Sequence, residues 1–368
     1  MSQKYSFQIL SSYSKKLLKR CRFHSTSKLF AEDKGGQQKP PEIPEKPEEP
    51  KKPDQSLKPE PPQLPQPPPL KPKPAPPTKR PKYLIAVHCG FQNNAYEKHI
   101  RAAIDAGYKV LEQTGKGLEA VEIVCRKMED DPVFNCGKGS VLNSIGSVEM
   151  EASIMDGETL RSGAVSGLNN IEHPVTLAKM VLQRTPHIVI AGHGANQFAT
   201  TLGFPRVPPQ SLIIEEEKEA YRKNSESYPG FSAVIVLDPN GNLSTAMSSG
   251  GMRRKLPGRV GCCANVGTGY YADNRIAAAT TTDSQAIMKA NCAHEIVYFI
   301  SKGLSALEAA QKTLLKLQLR MYLKGAAMAV TNGGDVAVTS TQGSFDWAFK
   351  RDGEYKFGNT EGFFQYSG

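Results

Sequence analysis

Residues 131–140 read Asp-Pro-Val-Phe-Asn-Cys-Gly-Lys-Gly-Ser, a stretch rich in residues that favour turns over regular helix or strand. Three further segments that contain glycine follow it along the chain. They are Ala-Ser-Ile-Met-Asp-Gly at 152–157, Gly-Arg-Val-Gly at 258–261 and Gly-Tyr-Tyr-Ala-Asp-Asn at 269–274. Each segment taken alone predicts a turn of modest specificity, so their order and spacing carry the stronger signal.

Apolar runs and helical spacing surround these turns. Strands are predicted at 83–88, 188–191 and 233–237, helices at 100–114, 118–128 and 304–319, and a hairpin at 326–339. This alternation predicts sheets with helices packed outside them. No stretch approaches about 18 consecutive apolar residues, so the sequence predicts no membrane span.

The first 82 residues differ from the rest of the chain in charge and in proline content. They carry about 18 Lys and Arg against about 8 Asp and Glu, which accounts for the whole formal excess of +10. The remainder is close to neutral and has no basic run with interleaved aromatic residues, so no nucleic-acid partner is predicted. About two thirds of the 27 prolines lie in 31–82, which predicts a linker of polyproline character.

Residues 1–30 are basic, rich in serine and free of acidic residues, and their apolar side chains can share one helical face. This composition is typical of a mitochondrial presequence, and the alternative is a basic tail on a cytoplasmic protein. The seven cysteines form no CxxC pair, which favours free thiols in a reducing compartment.

Taken together, the four segments resemble the plant-type L-asparaginase and isoaspartyl peptidase family over nearly all of 83–361, which leaves 362–368 as a tail. The resemblance implies an α+β fold, the four-layer αββα sandwich of N-terminal-nucleophile hydrolases. It also implies that two units pair into a homodimer. The sequence contains no motif for an organic cofactor.

Enzymes of this family cut their own chain to expose a threonine, whose hydroxyl is the nucleophile and whose free amine is the base. The corresponding stretch here is Pro-Gly-Phe-Ser-Ala-Val at 229–234, which places Gly230 at the threonine position. Because glycine has no hydroxyl, the resemblance implies that neither self-cleavage nor attack on a substrate can occur there. Ser232 is the nearest hydroxyl in the motif and is a weak candidate for a displaced nucleophile.

The other family positions are partly retained. Ser249 matches a second hydroxyl that supports the nucleophile, and Arg259 matches the arginine that binds the substrate's α-carboxylate. The acid that holds the α-amine corresponds to Cys262, a neutral thiol. The oxyanion-hole loop corresponds to 281–285, where Thr282 is retained but Asp283 introduces a carboxylate that opposes oxyanion stabilisation.

Two further expectations concern the loops near the empty nucleophile position. By resemblance, the turn at 135–139 holds the nucleophile and shapes a possible sodium-binding loop near Asn135. Related precursors carry a long flexible linker before the nucleophile, whereas the corresponding segment 215–229 is short, which suits a chain that stays uncut.

These features favour an asparaginase-like pseudoenzyme that stays uncleaved and binds a small amino-acid-like carboxylate at Arg259. One alternative is an active amidohydrolase that uses Ser232. A second is an interaction protein that acts through its proline-rich arm.

Overall fold

The structure is a computed structural model that describes residues 81–90, 96–225, 230–274, 276–282, 284–341, 343, 346–359 and 362–366. The presequence-like segment 1–30 and the linker up to residue 80 lie outside the described residues.

Thirteen strands are assigned within the described part of the chain. They are β1 Leu84–Gly90, β2 Met150–Asp156, β3 Ser162–Leu168, β4 Val189–Ala191, β5 Ser232–Leu237, β6 Leu243–Ser249, β7 Tyr270–Ala272, β8 Ile276–Thr282, β9 Gly325–Thr331, β10 Val336–Ser340, β11 Asp346–Arg351, β12 Glu354–Asn359 and β13 Gly362–Tyr366. Eight of them form one sheet in the order β12-β11-β1-β5-β6-β2-β3-β4, and the other five form a second sheet in the order β13-β10-β9-β8-β7.

The α-helices of the described residues alternate with these strands along the chain. They are α1 Glu97–Thr114, α2 Gly117–Asp130, α3 Pro174–Arg184, α4 Gly192–Thr201, α5 Glu215–Arg222, α6 Ser284–Ala290, α7 Cys292–Ser301 and α8 Ala306–Met321. Helix α8 begins with a capping box, because Ser305 accepts from the Glu308 backbone and the Glu308 carboxylate accepts from Ser305.

The side chains of β5 show how the layers are built, because successive residues of a strand point to opposite faces of its sheet. Ala233, Ile235 and Leu237 enter the apolar cluster that joins the two sheets and reaches the C-terminal helices. Val234 and Val236 enter a second cluster, which lies between the eight-stranded sheet and helices α1 to α3.

Helices therefore cover the outer face of each sheet. Helices α1, α2 and α3 pack on the eight-stranded sheet, while α7 and α8 pack on strands β8, β9 and β10 of the five-stranded sheet. The α+β fold with four αββα layers, predicted from the resemblance, is confirmed.

The predicted elements around the core are observed with small shifts at their ends. The helix predicted at 118–128 is α2, the strand predicted at 233–237 is β5, and the hairpin predicted at 326–339 is β9 and β10. Described helices long and apolar enough to cross a lipid bilayer are absent.

The tail assignment for 362–368 is wrong for its first five residues, since Gly362–Tyr366 forms β13 and pairs with β10. The physical reason is apolar packing: Phe364 and Tyr366 lie against the inter-sheet cluster. The ring centroids of Phe364 and Trp347 are 4.2 Å apart, so the folded domain extends to residue 366.

Candidate functional site

Gly230 lies two residues before the start of β5, at the position that the family resemblance assigns to the nucleophile. Its φ of +76° is in the left-handed region, which glycine adopts without strain and a β-branched residue adopts only at a cost of about 1 to 3 kcal/mol. Its carbonyl oxygen accepts a hydrogen bond of 2.7 Å from the Asn135 side-chain amide. The backbone at Gly230 is therefore relaxed in this conformation.

Asn135 joins several segments of this site through hydrogen bonds, and it is 5% exposed. Its Nδ2 also donates to the Gly251 carbonyl at 2.8 Å, and its Oδ1 accepts from the Val141 amide at 3.1 Å. Its own backbone carbonyl accepts from Gly250 at 2.9 Å. The loop predicted to hold the nucleophile position thus contacts Gly230 directly and links it to the end of β6.

The glycines of this loop are required by close backbone contacts. A methyl group on Gly139 would lie 2.0 Å from the Phe134 carbonyl oxygen and 2.5 Å from that of Pro132. A methyl group on Gly137 would lie 2.1 Å from the Glu129 carbonyl oxygen. The sodium-binding loop implied near Asn135 remains a prediction.

We expect Gly139→Ala to lower the free energy of unfolding by about 2 to 3 kcal/mol, because the Phe134 and Pro132 carbonyls must move. Gly194→Ala is the matched control, since its methyl group would lie 3.7 Å from Ile190, at ordinary contact distance in helix α4. Urea denaturation of both variants measures the difference. Equal stability of the two variants would contradict the steric account of this loop.

Ser249 and Ser248 end strand β6 and point to opposite faces of the sheet. The Ser249 hydroxyl oxygen accepts a hydrogen bond from the Gly251 amide at 2.8 Å, and Ser249 is buried near Asn135. The Ser248 hydroxyl donates to Glu129 Oε1 at 2.6 Å, in the layer under the helices. Ser249 is therefore placed at the turn that Asn135 also holds.

Ser232, the candidate for a displaced nucleophile, lies in the first position of β5 and pairs with Ser248 on β6. It is 1% exposed, and its hydroxyl lies 3.5 Å from the Cys136 sulfur, which belongs to the cluster under the helices. The neighbouring Phe231 and Ala233 face the inter-sheet cluster instead. The Ser232 hydroxyl is thus enclosed in the helix-side layer.

Glu129, on α2, is a buried acid of the site that sequence reasoning missed. It is fully buried, and its Oε1 accepts from the Ser248 hydroxyl and, at 3.0 Å, from the Val175 amide. Burial raises its pKa to about 8, against an ordinary value of 4.5. Its signal in the sequence is weak, because Glu122 lies seven residues earlier on the same buried face of α2 and forms an ion pair with Lys179 instead.

Arg259 lies on the loop after β6, close to the charged side chains of Lys255 on the same loop and Glu151 on β2. A methyl group on Gly261 would lie 3.0 Å from Arg259 Nη1 and 3.1 Å from Glu151 Oε2. A methyl group on Gly251 would lie 2.9 Å from Lys255 Nζ and 3.4 Å from Arg259 Nη1. The structure thus brings Arg259 together with two residues that the sequence did not single out.

Glu151 and Lys255 are both nearly inaccessible to solvent, at 1% and 4% exposure. Glu151 Oε1 accepts from the Gly261 amide at 2.7 Å, and Lys255 Nζ donates to the Glu149 carbonyl. Burial raises the pKa of Glu151, while Lys255 and Arg259 oppose that rise. Burial also lowers the pKa of Lys255, which Glu151 in turn opposes.

Cys262 and Cys263 follow in the next turn and are buried free thiols, as are the other four described cysteines. Burial raises the pKa of the Cys262 thiol well above its usual range, Glu151 raises it further, and Arg259 lowers it. The thiol is therefore neutral near pH 7 and lies within electrostatic range of both Glu151 and Arg259. Its predicted place in the ligand pocket remains a prediction.

The oxyanion-hole residues are only partly described. The backbone of Thr282 ends β8, opposite Gly325 on β9, and Asp283 lies outside the described residues.

The segment 215–229, predicted as a short linker before the nucleophile position, contains regular structure where it is described. Residues Glu215–Arg222 form helix α5, and residues 226–229 lie outside the described residues. Glu217 is 7% exposed, and its Oε2 accepts from Arg253 Nε at 3.0 Å. This buried ion pair anchors α5 to the loop that also carries Lys255 and Arg259.

A four-layer αββα sandwich is the fold of the N-terminal-nucleophile hydrolases. Comparison with known proteins places the chain within that class. The family model described as Asparaginase matches residues 86–358. The chain belongs to this asparaginase family.

Curated relatives agree with the family match. The chain is 38% identical over 293 residues to the isoaspartyl peptidase/L-asparaginase of Bos taurus, covering 75% of this chain and 95% of the relative. It is 38% identical over 278 residues to the Homo sapiens protein of the same name, covering 73% and 90%. It is 32% identical over 302 residues to the isoaspartyl peptidase of Escherichia coli K12, covering 74% and 94%.

Proposed function

We propose that this chain is an asparaginase-like protein that remains uncleaved, has no hydrolase activity and binds a small carboxylate ligand through Arg259. The observation that carries the proposal is Gly230, which offers no side-chain oxygen where the reaction needs one. Its left-handed φ and its hydrogen bond from Asn135 suit a chain that runs on without a break. A threonine there would be strained in the uncut chain.

Arg259 supports the binding part of the proposal. Its guanidinium packs closely against the backbone at Gly251 and Gly261, where a side chain on either residue would crowd it. A guanidinium recognises a carboxylate by two parallel hydrogen bonds, which neither a lysine nor a neutral residue reproduces.

We expect Arg259→Gln to weaken the binding of a four-carbon dicarboxylate by about tenfold or more, since it removes a charge-assisted bidentate contact. Isothermal titration with L-aspartate and with L-malate measures this. Arg320→Gln, at an exposed position in the last turn of α8, is the control and should leave binding unchanged. Unchanged binding in Arg259→Gln, or no binding of either ligand to the natural chain, would contradict the proposal.

An active amidohydrolase that uses Ser232 is the alternative that the resemblance to named hydrolases supports. It requires a chain break before Ser232, inside the ladder that pairs Ser232 with Ser248. It also requires the hydroxyl to leave its enclosed position beside Cys136. Loss of both cleavage and ammonia release in Ser232→Ala would establish this alternative.

Three further proposals rest on the sequence and on the family. We propose mitochondrial import through 1–30, and deletion of these residues from a tagged copy should abolish it. We propose a homodimer, which sedimentation velocity tests. An interaction role for the proline-rich arm predicts that deletion of 36–82 removes partner binding but leaves carboxylate binding intact.

A further inference from the structure

We propose that a polar cavity at the opposite end of the eight-stranded sheet from Gly230 binds a small organic cation with a primary ammonium group. The cavity has a volume of about 310 Å³, and small-molecule sites in proteins occupy about 300 to 1,000 Å³. Its wall consists of the start of α2, the β5–β6 turn, the β2–β3 turn and the second half of α3.

The cavity is separate from the candidate site described above. Along β6, Ser244 lines the cavity whereas Ser249 lies in the candidate site, a span of about 17 Å at about 3.3 Å per residue. Along α2, Gly117 lines the cavity whereas Glu129 lies in the candidate site, a span of about 18 Å at about 1.5 Å per residue. The proposal therefore concerns a second site and does not depend on the proposed carboxylate binding.

The Ser244 hydroxyl faces the cavity and has no hydrogen-bond partner among the described residues. Ser244 is 2% exposed and shares a face of β6 with Ala246, which enters the apolar cluster under the helices. Its Oγ would lie 3.3 Å from a methyl group on Gly117, the first residue of α2. Buried hydroxyls are rarely left without a partner, so a ligand that donates a hydrogen bond here satisfies the oxygen.

The two lysines that line the cavity are already paired. Lys116 Nζ lies 3.0 Å from a carboxylate oxygen of Glu119, and Lys179 Nζ lies 2.6 Å from one of Glu122. The second pair is nearly buried, since its side chains are 11% and 10% exposed. Neither lysine therefore offers an uncompensated charge to an anion.

Three carboxylates of the wall accept hydrogen bonds from neutral groups instead. Asp156 accepts from the Glu158 amide at 3.2 Å and from the Thr159 hydroxyl at 2.6 Å. The Asn242 side-chain amide lies 3.3 Å from Glu158 Oε2 and 3.5 Å from Asp238 Oδ2, so two carboxylates converge on one neutral group. Within the described part of the chain, no lysine or arginine forms an ion pair with any of the three.

The start of α2 carries a partial positive charge of about +0.5, which opposes a cation. Asp238 offsets this charge, because its Oδ2 would lie 3.7 Å from a methyl group on Gly117. The carboxylates of Asp156 and Glu158 remain, and they make the cavity favourable for a cation.

The chemistry of the wall favours an ammonium over a metal ion. Clusters of three or more His, Cys, Asp or Glu side chains that could hold a metal ion are absent from the described residues. An ammonium has three donors and no acceptor, which matches the carboxylate oxygens and the Ser244 hydroxyl oxygen. Each of its hydrogen bonds to a carboxylate is charge-assisted.

Titration calorimetry with putrescine and with 1,4-butanediol, an uncharged molecule of the same chain length, tests the proposal. We expect the natural full-length chain to bind putrescine at neutral pH and to bind the diol at least about tenfold more weakly. Asp156→Asn should weaken putrescine binding by about tenfold, while asparagine keeps an acceptor for the Glu158 amide. Ser244→Ala changes no charge and should weaken it by about fivefold.

Glu354→Gln, which removes a carboxylate from an exposed pair with Lys356 on β12, is the matched control and should leave putrescine binding unchanged. No binding of putrescine, or equal binding of the diol, would overturn the proposal. Equal losses in Asp156→Asn and Glu354→Gln would also overturn it, because the attraction would then be diffuse. If Asp156→Asn does not fold, Ser244→Ala and the comparison of the two ligands still decide.

Discussion

Glu129→Gln is expected to remove the contribution of Glu129 to the pH dependence of stability between about pH 4.5 and pH 8, while the opposite contribution of buried His88, whose pKa is lowered to about 3, stays in place. The folded protein holds the Glu129 proton up to a pKa of about 8, whereas in the unfolded chain the side chain ionises near its ordinary value of 4.5. Below about pH 4.5 both states are protonated, and the contribution of this group to stability is fully present.

As the pH rises through this window, only the unfolded chain ionises, which favours unfolding by about 1.4 kcal/mol for each pH unit. The loss of stability levels off above about pH 8, where Glu129 ionises in the folded protein too. Glutamine keeps an acceptor oxygen for the Ser248 hydroxyl and the Val175 amide but cannot ionise. Near pH 8 the variant should therefore be more stable than the natural chain by about 3 to 5 kcal/mol.

Urea denaturation at several pH values measures this effect. The control is Glu119→Gln on the same helix, where the glutamate forms an exposed pair with Lys116 and contributes little. If Glu129→Gln and Glu119→Gln show the same pH profile, Glu129 does not hold a proton in the folded protein.

Asn135→Ala is expected to lower the free energy of unfolding by about 3 to 5 kcal/mol. The change removes the hydrogen bonds to the Gly230 and Gly251 carbonyls and to the Val141 amide, all of them buried. Each buried partner left unsatisfied costs about 1 to 3 kcal/mol. The loss is large because one side chain fixes three separate segments.

Asn242→Ala is the matched control, since the Asn242 amide donates to Glu158 at an exposed site, with a distance of 3.3 Å. Asn135→Asp should fall between the two, because it keeps the acceptor for Val141 and loses the donors. Thermal unfolding of the three variants measures the order of their stabilities. A small loss of stability in Asn135→Ala would mean that water can replace the side-chain amide, and that Asn135 does not fix the position of Gly230.

Much of the fold was predictable because its core elements have clear apolar patterns. Strand β5 is apolar at every position after Ser232, and α1, α2 and α8 repeat apolar residues at helical spacing. Strand β6 was missed because it contains four Ser and Thr residues and is still buried throughout. Its hydroxyls are satisfied by distant partners, such as the Val234 carbonyl that accepts from Thr245 at 2.8 Å.

The residues of the candidate site were also predictable only in part. Gly230, Ser249 and Arg259 could be named because they fall on family motifs. Glu129 and Glu151 could not, since each acts through partners more than 100 residues away, Ser248 and Gly261. Only the folded chain shows which charges reach Arg259 and which hydroxyls lie in the helix-side layer.

The central claim is that the chain persists as one polypeptide because position 230 offers no nucleophile. Intact-mass spectrometry of the full-length protein, purified and incubated for days at neutral pH, tests it most directly. We predict a single mass for an unbroken 230–231 connection and no ammonia released from L-asparagine. Two fragments with a new N-terminus between 230 and 232, together with ammonia release, would contradict the account.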